Sequence, residues 1–459
     1  MSASEKISPE LDYSPVVSNH STIVYRTVAP QGNSEVTTSI TSTVGPTEFI
    51  IPSSVFNLSK SRLNFNISAA AGGAGLRTNI NANLLTSISR ITLYDSATNA
   101  LWCDISNVNN YASLVVPAGT DFVDYSTKSF RTLSFSETSL ADSQTKSVED
   151  ISKCNLTVGN FCGDGAAASD LALQNFYFSR RQYYTNATTA TAAFLDVSIP
   201  LSAFKLSVLA SDKMMYCPSN LVLQVYWNAN SNYANLGTSA TNPDTGYAQI
   251  ATAFVLKNIN LTLANEANLA VVSQVINKVM SSGLSIPIAY PTVTRQSLGA
   301  STAHSYQLNL TSGYGQRILA IISAPFSAAA DDNNINVHNR GNLTTYNTFL
   351  NNVPILSTAF FDASKNQDFM IANRHYLNGS VIQTCAEYAL GEWVHIDSFF
   401  GQKSLNEVDQ HEIDGLSVLG QSSTWQIQAN LSASTAYNWT SIIVGQKVLT
   451  ISNMGSMVQ

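Results

Sequence analysis

NEANLAVVSQVINKVMSS, residues 265–282, reads as a helix inside a chain that otherwise reads as β-strand. Leu269, Val272, Val275, Ile276 and Val279 recur at three- and four-residue spacing and so share one apolar stripe. Asn265 is placed to cap the helix, Glu266 suits the positive end of its dipole, and Gly283 suits its C-terminal stop. A helix at this position predicts a linker at 265–282. It divides the chain into a first β domain, residues 20–264, and a second, residues 283–459.

Strand signals recur on both sides of it. STIVYRTV from Ser21, TEFIIP from Thr47, SRLNFNISA from Ser61 and FLDVSIPL from Phe194 precede the helix, and SYQLNLT, RILAIISAPF and TWQIQANLS follow it. All are rich in β-branched and aromatic residues, and polar, Gly or Pro breaks separate them. In LVLQVYW, Leu221, Leu223, Val225 and Trp227 fall on one face, with Val222, Gln224 and Tyr226 on the other. The halves also echo each other. Tyr94-Asp95 followed by Asn99 matches Phe361-Asp362 followed by Asn366. FLDVSIPLSAF matches EWVHIDSFFG, and SNLVLQVYWN matches STWQIQANLS. The first half is longer by a Ser-, Asp-, Gly- and Ala-rich stretch near residues 134–169, which reads as a long loop insertion. The reading is all-β: two tandem jelly-roll β-sandwiches joined by a helical linker.

Composition narrows the function. Charged residues make up 12% of the 459, about half the ~25% of ordinary soluble domains. Neutral hydroxyls and amides cost less to desolvate than ions, which suits a surface buried against other copies. The net charge is −7, and the arm at residues 1–19 carries Glu5, Glu10 and Asp12 against Lys6. Nothing there could neutralise a genome's phosphates, so little direct nucleic-acid binding is expected. No secretory pattern opens the chain and no apolar run approaches the ~20 residues of a membrane helix, which points to synthesis in a cytoplasm.

The order of β domain, helical linker and second β domain resembles the double jelly-roll major capsid proteins of the bacteriophage, virophage, polinton-like and large DNA virus lineage. The stretches that carry the likeness are SRITLYDSATNALWCDISNVNNY (89–111) and MMYCPSNLVLQVYWN (214–228). The resemblance implies a homotrimer of pseudo-hexagonal outline that meets neighbouring trimers in an icosahedral shell. Penton and minor capsid proteins, and an internal lipid membrane, are its implied partners, and the virion capsid its location. Tandem β-sandwiches also serve as adhesins or carbohydrate-binding surface proteins, which is the alternative reading.

Enzyme signatures are incomplete. The six histidines (His20, His304, His338, His375, His395, His411) lack metal-ligand spacing, and HEID at His411 lacks the second histidine of a zinc protease. GLSVLG around Ser417 is one residue too long for a nucleophile elbow, and AAGGAGL near Gly72 lacks the Lys-Ser/Thr of a phosphate loop. DDNNINV places Asp332, Asn334 and Asn336 at alternate positions, as a calcium loop begins, but neither the Gly nor the terminal Glu follows. These three are the candidate metal ligands, with a hydrated loop tip as the plainer reading. Arg180 and Arg181 beside Phe176, Tyr177, Phe178, Tyr183 and Tyr184 suit a sandwich edge or a subunit interface better than a nucleic-acid platform. Cys154 and Cys162 bracket a short loop and could pair; Cys103, Cys217 and Cys385 complete an odd set. Trp102, Trp227, Trp393, Trp425 and Trp439 lie in strand-like segments and read as core anchors. No catalytic residue and no cofactor is expected.

Overall fold

The computed structural model describes residues 20–68, 77–81, 84–118, 133–134, 182–186, 194–237, 247–248, 253–327, 342–355, 361–362, 394–399 and 415–459. Outside these lie the arm at 1–19 and nearly all of the 134–169 insertion. Asp332, Asn334, Asn336, Arg180, Arg181, Cys154, Cys162, Cys385 and Trp393 also lie outside them, as do His338, His375 and His411.

Eight strands build the first sandwich: β1 (Ile23–Val28), β2 (Val44–Ile51), β3 (Val55–Ser68), β4 (Ile88–Asp95), β5 (Leu101–Ser106), β6 (Phe194–Pro200), β7 (Leu221–Trp227) and β8 (Val255–Glu266). One sheet runs β1-β8-β3-β6 and the other β2-β7-β4-β5, all antiparallel. That order is a jelly roll. Alternation places Leu63, Phe65 and Ile67 of β3 in the core and leaves Arg62, Asn64 and Asn66 outside. On β7 the face of Leu221, Leu223, Val225 and Trp227 is buried, as its spacing predicts. Connections at one end of the roll contribute a further small sheet, ordered Tyr247–Ala248, Ala234–Gly237, Arg77–Asn81 and Gln182–Asn186. Tyr183 and Tyr184 belong to its outermost strand.

The second sandwich follows the same plan, with two strands of unusual length: β9 (Leu284–Leu310), β10 (Arg317–Ser327), β11 (Leu343–Leu350), β12 (Phe361–Asp362), β13 (His395–Ser398), β14 (Leu416–Ser417), β15 (Ser423–Ser452) and β16 (Gly455–Val458). The first half of β9 pairs with the second half of β15, which pairs with β10 and then β13. The second half of β9 pairs with the first half of β15, which pairs with β11 and then β12. With β9 and β15 each read as two strands, this is the order of the first roll.

Two of the three sequence echoes fall on equivalent strands, β6 with β13 and β7 with the first half of β15. The third does not. Asp95 closes β4, whereas Phe361 and Asp362 form β12, the counterpart of β5, so the shared aromatic-Asp pair marks two different places.

Among the described residues, two α-helices accompany the sandwiches. α1 (Val108–Ala118) follows β5 and buries Val108, Tyr111, Ala112, Leu114 and Val115. α2 (Leu269–Ser282) is the linker. It starts later than the sequence predicts: β8 keeps pairing with β1 as far as Glu266, so Asn265 is a strand residue and Asn268 caps the helix, accepting from the Ala270 amide at 3.0 Å. Gly283 ends it at φ 70. The apolar stripe is only partly used. Val279 is buried, but Leu269 is 78% exposed, so the helix lies across the rolls without being wedged between their cores. The rolls meet directly, and their buried apolar residues form one continuous core.

Candidate functional site: the seam between the rolls

Among the described residues, the Asp95 carboxylate is the group that most tightly ties the rolls together. β4 ends at Asp95 in a tight turn, in which its own Oδ1 accepts from the Ala97 amide at 2.9 Å and Asn99 takes φ 57. The carboxylate also accepts from the Ser219 hydroxyl beside β7, and Oδ2 accepts the backbone N–H and the hydroxyl of Ser456, both at 2.8 Å. Ser456 belongs to β16, in the second roll. Its hydroxyl oxygen accepts from Trp102 Nε1 at 2.7 Å, and its carbonyl accepts from Thr98 Oγ1 at 2.8 Å. Asp95 and Trp102 are fully buried. Burial pushes the Asp95 carboxyl up, but hydrogen bonds from Ser219, Ala97 and Ser456 favour the ion more strongly and hold it at about 2. Gly455 makes the approach possible: at φ 110, a Cβ there would stand 2.7 Å from Thr98 Cγ2.

A second set of contacts lies along β5. Arg90 grips Asp104 with two bonds of 2.7 Å and lies over the Tyr226 ring, 5.7 Å from its centroid. From the second roll come Tyr290 and Lys447, with Lys447 Nζ 3.7 Å from the Tyr290 ring centroid. Burial, reinforced by the neighbouring Cys103 and Asp104, pushes the Tyr290 phenol up. At the linker, Glu266 accepts the Ser21 hydroxyl, the Thr22 amide at 2.7 Å and the Asn268 amide at 2.8 Å. Asn268 Nδ2 donates to the His20 carbonyl at 2.8 Å. His20, the first described residue, therefore lies beside the start of α2.

The core of the second roll holds two buried histidine networks. His395 and Asp397 are 2% and 3% exposed, with Nε2 3.1 Å from Oδ1. His395 Nδ1 lies 3.2 Å from the Tyr346 hydroxyl, and Asp397 Oδ2 accepts from Trp425 Nε1 at 2.6 Å. His304 lies between the Thr435 carbonyl and the Trp439 indole.

These placements settle several sequence candidates. Ser417 sits in the two-residue strand β14 against Arg317 and Ile318, not on a strand-to-helix elbow. His304 and His395 are core residues held by separate networks, and His20 marks the end of the arm. Trp102, Trp227, Trp425 and Trp439 are all fully buried. Cys103 and Cys217 are buried free thiols. Among the described residues no three His, Cys, Asp or Glu side chains converge as metal ligands do. Sequence reasoning treated Asp95 only as a turn former; its partner Ser456 lies 361 residues away and carries no local signal.

No family model and no curated protein sequence matches the chain. Solved structures do share its architecture. VP54 of PBCV-1, fitted into a reconstruction of the virophage Sputnik, is 10% identical at TM-score 0.52, over 97% of this chain and 98% of that one. A chain of the PBCV-1 virus capsid is 10% identical at TM-score 0.51, with the same 97% and 98% covered. A chain of the Sputnik virophage is 12% identical at TM-score 0.50, over 100% of this chain and 93% of that one. At such identities the likeness is one of fold. The protein is a double jelly roll, and the structures that share its fold are viral capsid subunits.

Proposed function

We propose that this protein is the major capsid protein of a non-enveloped icosahedral virus: a homotrimeric subunit that tiles the shell and encloses the genome. The observation that carries the reading is the seam. Two rolls of identical strand order are fastened by the Asp95–Ser456 bonds into one block, and that block matches PBCV-1 capsid chains over nearly its whole length. Its function is mechanical: self-association and closure of symmetry, with no catalytic step. The partners are copies of itself, then penton and minor capsid proteins and an internal lipid membrane. The location is the virion, after synthesis in the host cytoplasm. Arm residues 1–19 lie along a neighbouring subunit or the inner face of the shell.

Mass photometry of the purified chain tests this. The expected species has three times the 49.4 kDa chain mass, with interfaces above ~2,000 Å² as obligate oligomers have. A monomer at physiological salt overturns the proposal. The same trimers should bind DNA and RNA weakly in filter assays at ~0.15 M salt, because no basic arm releases counterions. Tight binding with a steep salt slope would contradict that expectation.

A further inference from the structure

We propose that His304 is an acid-sensitive lock on the corner where the two longest strands of the second roll pass from one sheet to the other. β9 and β15 run side by side through both sheets, and their register breaks at one place, between Leu298 and Ala303 on β9 and between Tyr437 and Asn430 on β15. His304 sits at that break, 5% exposed. Its two ring nitrogens join the two strands. A carbonyl oxygen can only accept, so the 3.0 Å contact with Thr435 O requires a proton on Nε2. The Trp439 indole can only donate, so its 3.1 Å contact requires Nδ1 to be bare. The structure thus specifies the neutral ring and one of its tautomers.

Protonation at Nδ1 would put two N–H groups face to face and break the Trp439 bond. Trp439 is fully buried and stacks on Tyr306, with ring centroids 6.4 Å apart at 17°, so the change reaches the middle of the sandwich. The same corner is laced from the residue before β11: the Asn342 amide N–H donates to the Tyr437 hydroxyl, and Asn342 Nδ2 donates to Thr435 Oγ1. Facing His304 from β15 are Thr435, Tyr437, with its ring 5.8 Å away, and Trp439; from β9 come Tyr306 and the Gly299 carbonyl. The titratable groups among these are the two phenols, and among the described residues no carboxylate acts on the ring to stabilise an imidazolium. Burial accordingly lowers the histidine below 6.5, opposed in part by the Thr435 and Gly299 carbonyls. The sign follows. The unfolded chain takes up this proton as pH falls through 6.5 and the folded chain resists it, so stability held above 6.5 is lost progressively below it.

Thermal melting of the assembled protein from pH 7.5 to pH 5 tests the lock against His304→Gln. A glutamine stays neutral, and its carboxamide can accept from Trp439 and donate to Thr435. The wild type should lose about 3 °C more than the variant across this window. Parallel curves would overturn the proposal. If the variant fails to fold, histidine-labelled wild type decides the matter by NMR, the ring being assigned through its contact with the Trp439 indole proton. The expected result is an Nε2–H tautomer titrating below 6.5; an Nδ1–H ring, or a midpoint at or above 6.5, would refute it.

Discussion

Asp397→Ala should lower the unfolding free energy by about 2–4 kcal/mol, because buried donors left without an acceptor cost about 1–3 kcal/mol each. Asp397 is 3% exposed and lies beside three groups. His395 Nε2 is 3.1 Å away, Trp425 Nε1 donates at 2.6 Å, and Thr348 Oγ1 donates at 3.4 Å. With alanine in place, the His395 ring and the Trp425 and Thr348 donors keep their burial but lose the carboxylate beside them, and each unmet group carries its own desolvation penalty. The hole cannot readily fill with water, because His395 also packs edge-on against Tyr346, at 4.9 Å between centroids. Asp397→Asn should cost less, since the amide oxygen can still accept from Trp425. Burial pushes the Asp397 carboxyl up, but His395 and the donated bonds outweigh it and leave it below its usual range. Its stabilisation is therefore present above 3.8 and lost as pH falls through the depressed value. Denaturant titration followed by tryptophan fluorescence measures the difference; a loss under about 1 kcal/mol would show that the pair is not held as described.

The sequence was most informative where one face of a strand is buried and the other is wet. In SYQLNL the residues Tyr306, Leu308 and Leu310 are buried while Ser305, Gln307 and Asn309 are exposed, and that alternation is plain in the letters. The linker helix was legible for the same reason, from its 3.6-residue stripe. Its start was not, because Asn265 and Asn268 are equally good caps and only the pairing of β8 with β1 chooses between them. α1 escaped notice because its SLVV run favours strand by propensity, and tertiary packing of Tyr111 and Leu114 overrides that preference. The paired echoes of β6 and β7 in the second roll were real signals of a shared strand order. The Asp95 and Asp362 echo was not, since turn chemistry recurs wherever a strand must end. The contacts that join the rolls were invisible for a physical reason. A buried aspartate and its distant serine partner leave no periodicity, and EWVHIDSFF announces a strand without announcing that His395 and Asp397 face each other.

Asp95→Ala should release the C-terminal strand from the first roll and cost about 3–5 kcal/mol, because four donors lose their acceptor, at about 1–3 kcal/mol for each that is buried. Removing the carboxylate leaves the Ser456 amide, the Ser456 hydroxyl, the Ser219 hydroxyl and the Ala97 amide without their acceptor. Ser456→Ala should cost less, about 1–2 kcal/mol, because it removes only the hydroxyl and leaves the backbone N–H in place. The two changes share a bond, so the double variant should fall short of additivity by about 1 kcal/mol or more. Asp95 also sets a pH limit on the seam. Its folded value of about 2 lies below the ordinary 3.8, which corresponds to about 2 kcal/mol of stability held above pH 3.8 and lost as pH falls through 2. Hydrogen exchange at Ser456 and Val458 reads the release directly. In Asp95→Ala these amides should exchange much faster at neutral pH, while those of β3 and β8 in the first roll stay protected. Protected amides at Ser456 would mean that pairing with β15, through Ile451↔Ser456 and Leu449↔Val458, holds β16 without the aspartate. Faster exchange in both rolls together would mean that the seam is required for the first roll's own fold, and is not merely the fastening between two finished ones.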